Sequence, residues 1–253
     1  PLAEDGLPDY ASDALARARQ GVTPENNAAV PLLQAMWPAD VEPEYWEVLC
    51  TELGIEQPKA SGFLPAMEDE KLELACRQWL KARKTEAGPA APDAPDSESE
   101  GEAEGMYEAE AEIDMWQLVA VGIEFPWRAE EMPPLAAWLK SRQAKLDLVQ
   151  SGAARSHFYA PGPALLVEPT TPFSSHCDFL ASQVESAGET LALRGMWRVA
   201  EDDLPGAWAD CVAIHRLAQH AWQNSAYDEF WPTLLDTNAH QLAQAILDSP
   251  QLS

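Results

Sequence analysis

The sequence predicts an all-α protein of packed helical hairpins, interrupted by a disordered acidic linker. Three observations predict it. Apolar residues recur at the three-and-four spacing of a buried helix face in one segment after another. Proline, glycine and acidic residues stand where helices start and stop. No convincing β run occurs: the nearest, Leu165-Leu166-Val167, is short and flanked by prolines.

Taken in order, residues 8–20 (PDYASDALARARQ) make a short helix that Gly21 ends. Thr23-Pro24-Glu25 combines a cap, a first-position proline and an early acid, a helix-start signal for the NNAAVPLLQAMWP that follows. Pro31 requires that helix to begin close to it or to kink there. Residues 43–53 place Tyr45, Trp46, Leu49, Cys50 and Leu53 on one face, and Gly54 stops them. Residues 67–83 form a fourth helix, with Leu72, Ala75, Cys76, Trp79 and Leu80 buried and Arg77, Lys81, Arg83 and Lys84 solvated.

Composition then changes abruptly. Residues 85–110 (TEAGPAAPDAPDSESEGEAEGMYEAE) offer almost nothing to bury and are expected to be a solvated, disordered tether. The chain therefore divides into an N-terminal helical part (1–84), the linker (85–110) and a C-terminal helical part (111–253). Between positions 85 and 114 there are eleven acids and no base; taking them out of −26 still leaves −15, so the helical parts are acidic in their own right.

Helix resumes over 111–122 with Ile113, Trp116, Val119 and Ala120 on its stripe, and again over 134–150 with Leu135, Trp138, Leu139, Leu146 and Val149. Residues 153–172 hold four prolines and include His157-Phe158-Tyr159; they read as an irregular connection, long enough to be packed or functional. The stretch 189–222 is a helical hairpin. Gly188, Leu191, Ala192, Gly195, Met196 and Val199 line its first helix. Ala207, Trp208, Cys211, Ile214, His215, Ala218 and Trp222 line its second, and the small Gly195 and Ala207 let the two backbones approach. Glu201-Asp202-Asp203 and Pro205 mark the start of the second helix. Ser225 with Asp228 opens the last helix, whose stripe is Tyr227, Phe230, Trp231, Leu234, Asn238, Leu242 and Ile246, with Pro232 kinking it or delaying its start.

A small residue in one helix followed by D-L-x-x-A at Asp203 to Ala207 resembles one tetratricopeptide-type helix pair. Arg198 stands where that repeat carries an aromatic, Gln219 stands where it ends in proline, and a shift of about 34 residues finds no second copy. Three phrases in order, GVTPENNAAVPLLQAMWP, FPWRAEEMPPLAAWLKSRQAKLDLV and LALRGMWRVAEDDLPGAWADCVAIHRLAQ, resemble a family of uncharacterised bacterial proteins abundant in planctomycetes. The acidic linker departs from that family. What the resemblance implies is a helical protein in the cell envelope or otherwise extracytoplasmic, with no assigned activity and no catalytic residues to carry over.

Composition excludes more than it assigns. A length of 253 residues, 46% hydrophobic, with ten Trp, indicates a folded core. Forty-two acids against 16 bases make a surface that repels nucleic acid and anionic lipid, both of which need Lys and Arg to displace counterions. No apolar run approaches the roughly 20 residues of a membrane span, and no signal peptide is present. The chain starts without Met and reads as a portion of a longer protein, so that absence does not fix a compartment. Cys50, Cys76, Cys177 and Cys211 lack CxxC spacing, and three of them lie on apolar stripes as small hydrophobes.

Chemistry is sparse. Cys211 and His215 are four apart, with His220 and His240 on neighbouring segments, which outlines a Cys/His zinc site. A second ligand pair is missing, so core packing is the favoured reading of Cys211 and His215. In His176-Cys177-Asp178, neighbouring helical residues point about 100° apart and cannot act as base and nucleophile. Carboxylates are too numerous for any pair to be a signal. Glycine-rich phosphate loops, HExxH and GxSxG do not occur. Trp37, Trp127, Phe158 and Tyr159 stand on loops as candidate surface aromatics. The expectation is a non-enzymatic helical interaction module without cofactor, holding a protein or peptide partner through Phe158, Tyr159, Trp208 and Trp222. The alternatives are a metal-dependent hydrolase using Cys211, His215 and His240, and an envelope protein whose acidic tether binds cations.

Overall fold

The computed structural model describes residues 10–36, 43–58, 66–87, 114–161, 181–224 and 230–252. Among them the chain is all-α, and the only β feature is an isolated bridge between Asn27 and His157. The helices are α1 (Tyr10–Ala18), α2 (Ala29–Met36), α3 (Pro43–Leu53), α4 (Glu70–Ala87), α5 (Met115–Glu124), α6 (Pro133–Ala153), α7 (Ala181–Ala200), α8 (Leu204–Asn224) and α9 (Phe230–Leu247). None is long and apolar enough to cross a membrane.

Local chemistry sets most of these boundaries. Gly21 (φ 77°) and Gly54 (φ 66°) take the left-handed conformation that ends α1 and α3. Asp202 takes the same role after α7 (φ 66°), where the Asp203 amide donates to Arg198 O (2.8 Å) and closes the C-terminal turn. Asp203 then caps α8, its Oδ1 accepting from Gly206 N (3.0 Å). Asp114 caps α5 through Gln117 N, and Asp69 caps α4 through Leu72 N. Thr23-Pro24-Glu25 does not start a helix but folds into a turn, and α2 begins six residues beyond Thr23. Pro31 and Pro232 each sit in a first helical turn, where their missing N–H costs nothing. α4 runs on to Ala87 because nothing breaks it before Gly88-Pro89; the remainder of the acidic linker lies outside the described residues, as do Trp37, His176-Cys177-Asp178 and Ser225 to Asp228.

α7, α8 and α9 pack mutually, α5 leans on α7, and α6 runs across this bundle to meet α2 and α4. Buried Leu32, Met36, Leu72 and Cys76 belong to one apolar cluster with Leu139, Val149, Leu191, Ile214 and Leu242, so residues on both sides of the acidic stretch share a core. A smaller cluster gathers Ala29, Leu33, Trp46, Leu49, Cys50, Leu53 and Tyr159. Polar ties reinforce the join. The Asn27 side chain donates to Tyr159 O (2.7 Å) and accepts from Tyr159 N (2.9 Å). Trp138 Nε1 donates to Asp69 (3.0 Å), which also pairs with Arg142.

Several stripes differ from the sequence reading. The buried face of α5 is Met115, Leu118, Val119 and Gly122, whereas Trp116 and Ala120 face outward; Asp114 as cap fixes the phase. Ala75 is exposed on α4, and on α9 Leu235 is buried with Leu234 only half-buried. Gly188 and Gly195 make room for α9, not for α8. A Cβ would stand 2.0 Å from Leu235 Cδ2 at the first position and 2.4 Å from Leu242 Cδ2 at the second.

One buried feature is electrostatic. Arg194 and Asp210 are each 0% exposed and pair through Nη2–Oδ1 (2.5 Å) and Nε–Oδ2 (3.1 Å). Arg198 Nη1 donates to Asp210 Oδ2 (2.7 Å), Gln150 Nε2 to Oδ1 (3.1 Å), and Arg194 Nη1 to Asp147 (2.9 Å). Burial pushes the Asp210 carboxyl up while the two guanidiniums pull it back down. These bonds tie α6, α7 and α8 together.

Candidate functional site

The outer face of α8 is fixed by what its inner face buries. Ala207, Asp210, Cys211, Ile214, Leu217 and Ala218 pack inward. At about 100° per residue, Trp208, Val212, His215, Gln219 and Trp222 are then left along one flank of that buried face, with exposed Arg216 beyond them on the outer side. Trp208 is 52% and Trp222 44% exposed, so the two tryptophans do not pack as stripe residues. They are fourteen positions apart in sequence, which on a helix is about 21 Å.

α9 supplies the flank of this face. Asp236 Oδ1 accepts from His215 Nδ1 (2.8 Å), and the Asp236 carbonyl accepts from His240 Nδ1 (2.7 Å). Both partners are acceptors, so each ring presents an N–H at Nδ1 and turns Nε2 away from Asp236. The rings stand edge to face, 5.2 Å between centroids and 79° between planes.

Cys211 does not join them. It lies one turn before His215 but is buried, its thiol donating to Ala239 O (3.3 Å), and burial raises it toward the neutral form. Among the described residues no three His, Cys, Asp or Glu side chains form a group that could hold a metal ion, so the Cys211, His215 and His240 trio separates into a core thiol and a surface imidazole pair. His220 is buried beside Phe158, the ring centroids 5.7 Å apart, and desolvation pushes its imidazole down.

Phe158 and Tyr159 are not a surface. Tyr159 is 4% exposed, donates its hydroxyl to Glu52 Oε1 (2.9 Å) and packs on α2 and α3; Phe158 is half-buried between the two apolar clusters. Burial and the Glu52 carboxylate push the phenol up. Trp127 is likewise buried, 2% exposed, with Nε1 donating to Gly122 O and its ring stacked on Trp197. An open cleft of about 620 Å³ also lies where the C-terminal ends of α5, α7 and α9 meet, lined by Phe125, Arg128, Asp202 and Asp248 among others. Gln244 already engages both Asp248 oxygens (2.9 Å each).

No family model, characterised protein or solved structure matches this chain. The site is therefore judged on its own residues.

Proposed function

We propose that the chain is a non-enzymatic helical interaction module, with the outer face of α8 from Trp208 to Trp222 as the strip that holds a protein or peptide partner. What supports this is the composition of the strip. Trp208, Val212, His215, Gln219 and Trp222 form a row without Asp, Glu, Lys or Arg, bordered on its outer side by exposed Arg216, on a chain whose net charge is −26. Depletion of charge around exposed tryptophans marks the centre of protein interfaces. The helix that carries the strip is held rigidly, since Asp210 on its inner side is bonded to α6 and α7. A rigid support lowers the ordering cost of binding.

The charge of the surroundings selects the partner: a segment with an apolar centre and basic flanks, drawn in by long-range attraction that added salt weakens. Trp208→Ala/Trp222→Ala tests the strip. Affinity for the partner captured from cell extract should fall by about 30-fold for each tryptophan and by several hundredfold for the pair, since interface tryptophans are commonly worth about 2 kcal/mol each. The melting temperature should stay near that of the parent, because both rings are about half exposed. Equal capture by parent and variant would place the interface elsewhere. Sedimentation of the chain alone identifies the remaining case, a second copy as the partner.

A further inference from the structure

We propose that His215 and His240 form a surface site for a divalent transition-metal ion of the zinc, nickel and copper class, oriented by Asp236. The site shares His215 with the docking strip on α8, while His240 and Asp236 belong to α9 and lie outside it.

Three observations carry it. First, both rings have Nδ1 occupied by an acceptor, the Asp236 carboxylate for His215 and the Asp236 carbonyl for His240. That leaves both Nε2 lone pairs for a ligand. A carboxylate or backbone carbonyl on the far nitrogen is the arrangement that metal-ligating histidines use to fix tautomer and ring direction. Here a single residue serves both rings. Second, the spacing fits. Two imidazoles bound through Nε2 at about 2.0–2.1 Å to a tetrahedral ion place their ring centroids roughly 5 Å apart, and the observed separation is 5.2 Å. Third, the rings are accessible. His240 is exposed, and the His215 and Asp236 side chains retain 38% and 44% of their surface.

Among the described residues no third protein donor converges on the pair. The ion would keep water in its other positions, an open site unlike the closed four-ligand structural ones. Imidazole donors favour Zn²⁺, Ni²⁺ and Cu²⁺ over Mg²⁺ and Ca²⁺, with Cu²⁺ held tightest by the usual divalent order.

The test is calorimetric titration of ZnCl₂ into the full chain with Mg²⁺ in excess, to occupy the many carboxylates. One Zn²⁺ should bind. His215→Ala and His240→Ala should each weaken it at least tenfold, and Asp236→Asn, which touches the ion nowhere, by about tenfold as an outer-shell change. Co²⁺ in place of Zn²⁺ should give a visible absorption band in the parent that both histidine variants lose. Should an alanine variant lose its fold by circular dichroism, His240→Gln keeps the helix and reads the same affinity. Zn²⁺ binding that the histidine variants retain within twofold, or that excess Mg²⁺ abolishes in the parent, overturns the site.

Discussion

Asp210→Ala is the most informative single substitution in this chain. It removes two hydrogen bonds from Arg194 and one from Arg198 at a position with no access to water. Arg194 would keep only Asp147, whose side chain is 52% exposed and so a weak, solvent-screened partner. Leaving a buried guanidinium without its carboxylate costs about 3–5 kcal/mol, a large share of a typical folding stability of about 5–15 kcal/mol. Arg198 loses less, because it also donates to Gly206 O (3.1 Å) and meets Asp203 (3.4 Å). Replacing both partners by Arg194→Met/Asp210→Leu removes the uncompensated charge, and buried pairs exchanged for apolar side chains commonly end near or above the parent stability. Urea unfolding followed by circular dichroism measures both, with an unchanged m-value showing that the denatured state is not responsible. A loss below about 1 kcal/mol for Asp210→Ala, or a double variant as unstable as the single one, refutes the network as a buried ion pair.

Three other outcomes follow from packing and charge. Asn27→Ala strips both bonds to Tyr159 and one to Ala29 N and should cost about 2–3 kcal/mol, against about 1 kcal/mol for Tyr159→Phe; equal thermal shifts for the two would contradict the role of Asn27 as the clamp. Gly188→Ala forces a Cβ onto fully buried Leu235 and should destabilise by about 1–3 kcal/mol; an unchanged melting temperature would mean α9 can back away. Burial and neighbouring Glu189 raise the Glu185 carboxyl from 4.5 to about 7. A raised folded value means this group's favourable contribution is complete below about 4.5 and is lost as pH rises through about 7. Glu185→Gln should therefore raise the melting temperature by a few degrees at pH 8, about 1 kcal/mol once solvent screening is allowed for, and change nothing at pH 4. A gain of the same size at both pH values would show that ionisation is not the cause.

Helix periodicity made much of the fold legible. Trp46, Leu49, Cys50 and Leu53 of α3, the buried face of α6 and the inner stripe of α7 match their spacing, and Gly21 and Gly54 stop helices where glycine permits positive φ. What periodicity cannot give is which neighbour covers a face. Trp208 and Trp222 flank the inner stripe of α8 by one residue each, and only the placement of α7 and α9 decides that they stay outside. Gly188 and Gly195 announce a close approach, but its object, Leu235 and Leu242, follows from the register of α9. The burial of Arg194 depends on Asp210, which lies on the next helix and meets it only once α7 and α8 are packed. For the site, Asp236 and His240 are four apart and legible as local neighbours, whereas His215 reaches them only through the α8–α9 packing.

The most direct measurement on the docking strip is site-specific photocrosslinking. A photoreactive side chain placed at Gln219, between the two tryptophans, is compared in cell extract with the same group at Arg17 on α1. Docking on α8 requires one discrete protein adduct from position 219 and none from position 17, and its disappearance when Trp208→Ala/Trp222→Ala is added. Adducts of equal yield from both positions, or an adduct at 219 that survives loss of both tryptophans, would contradict it.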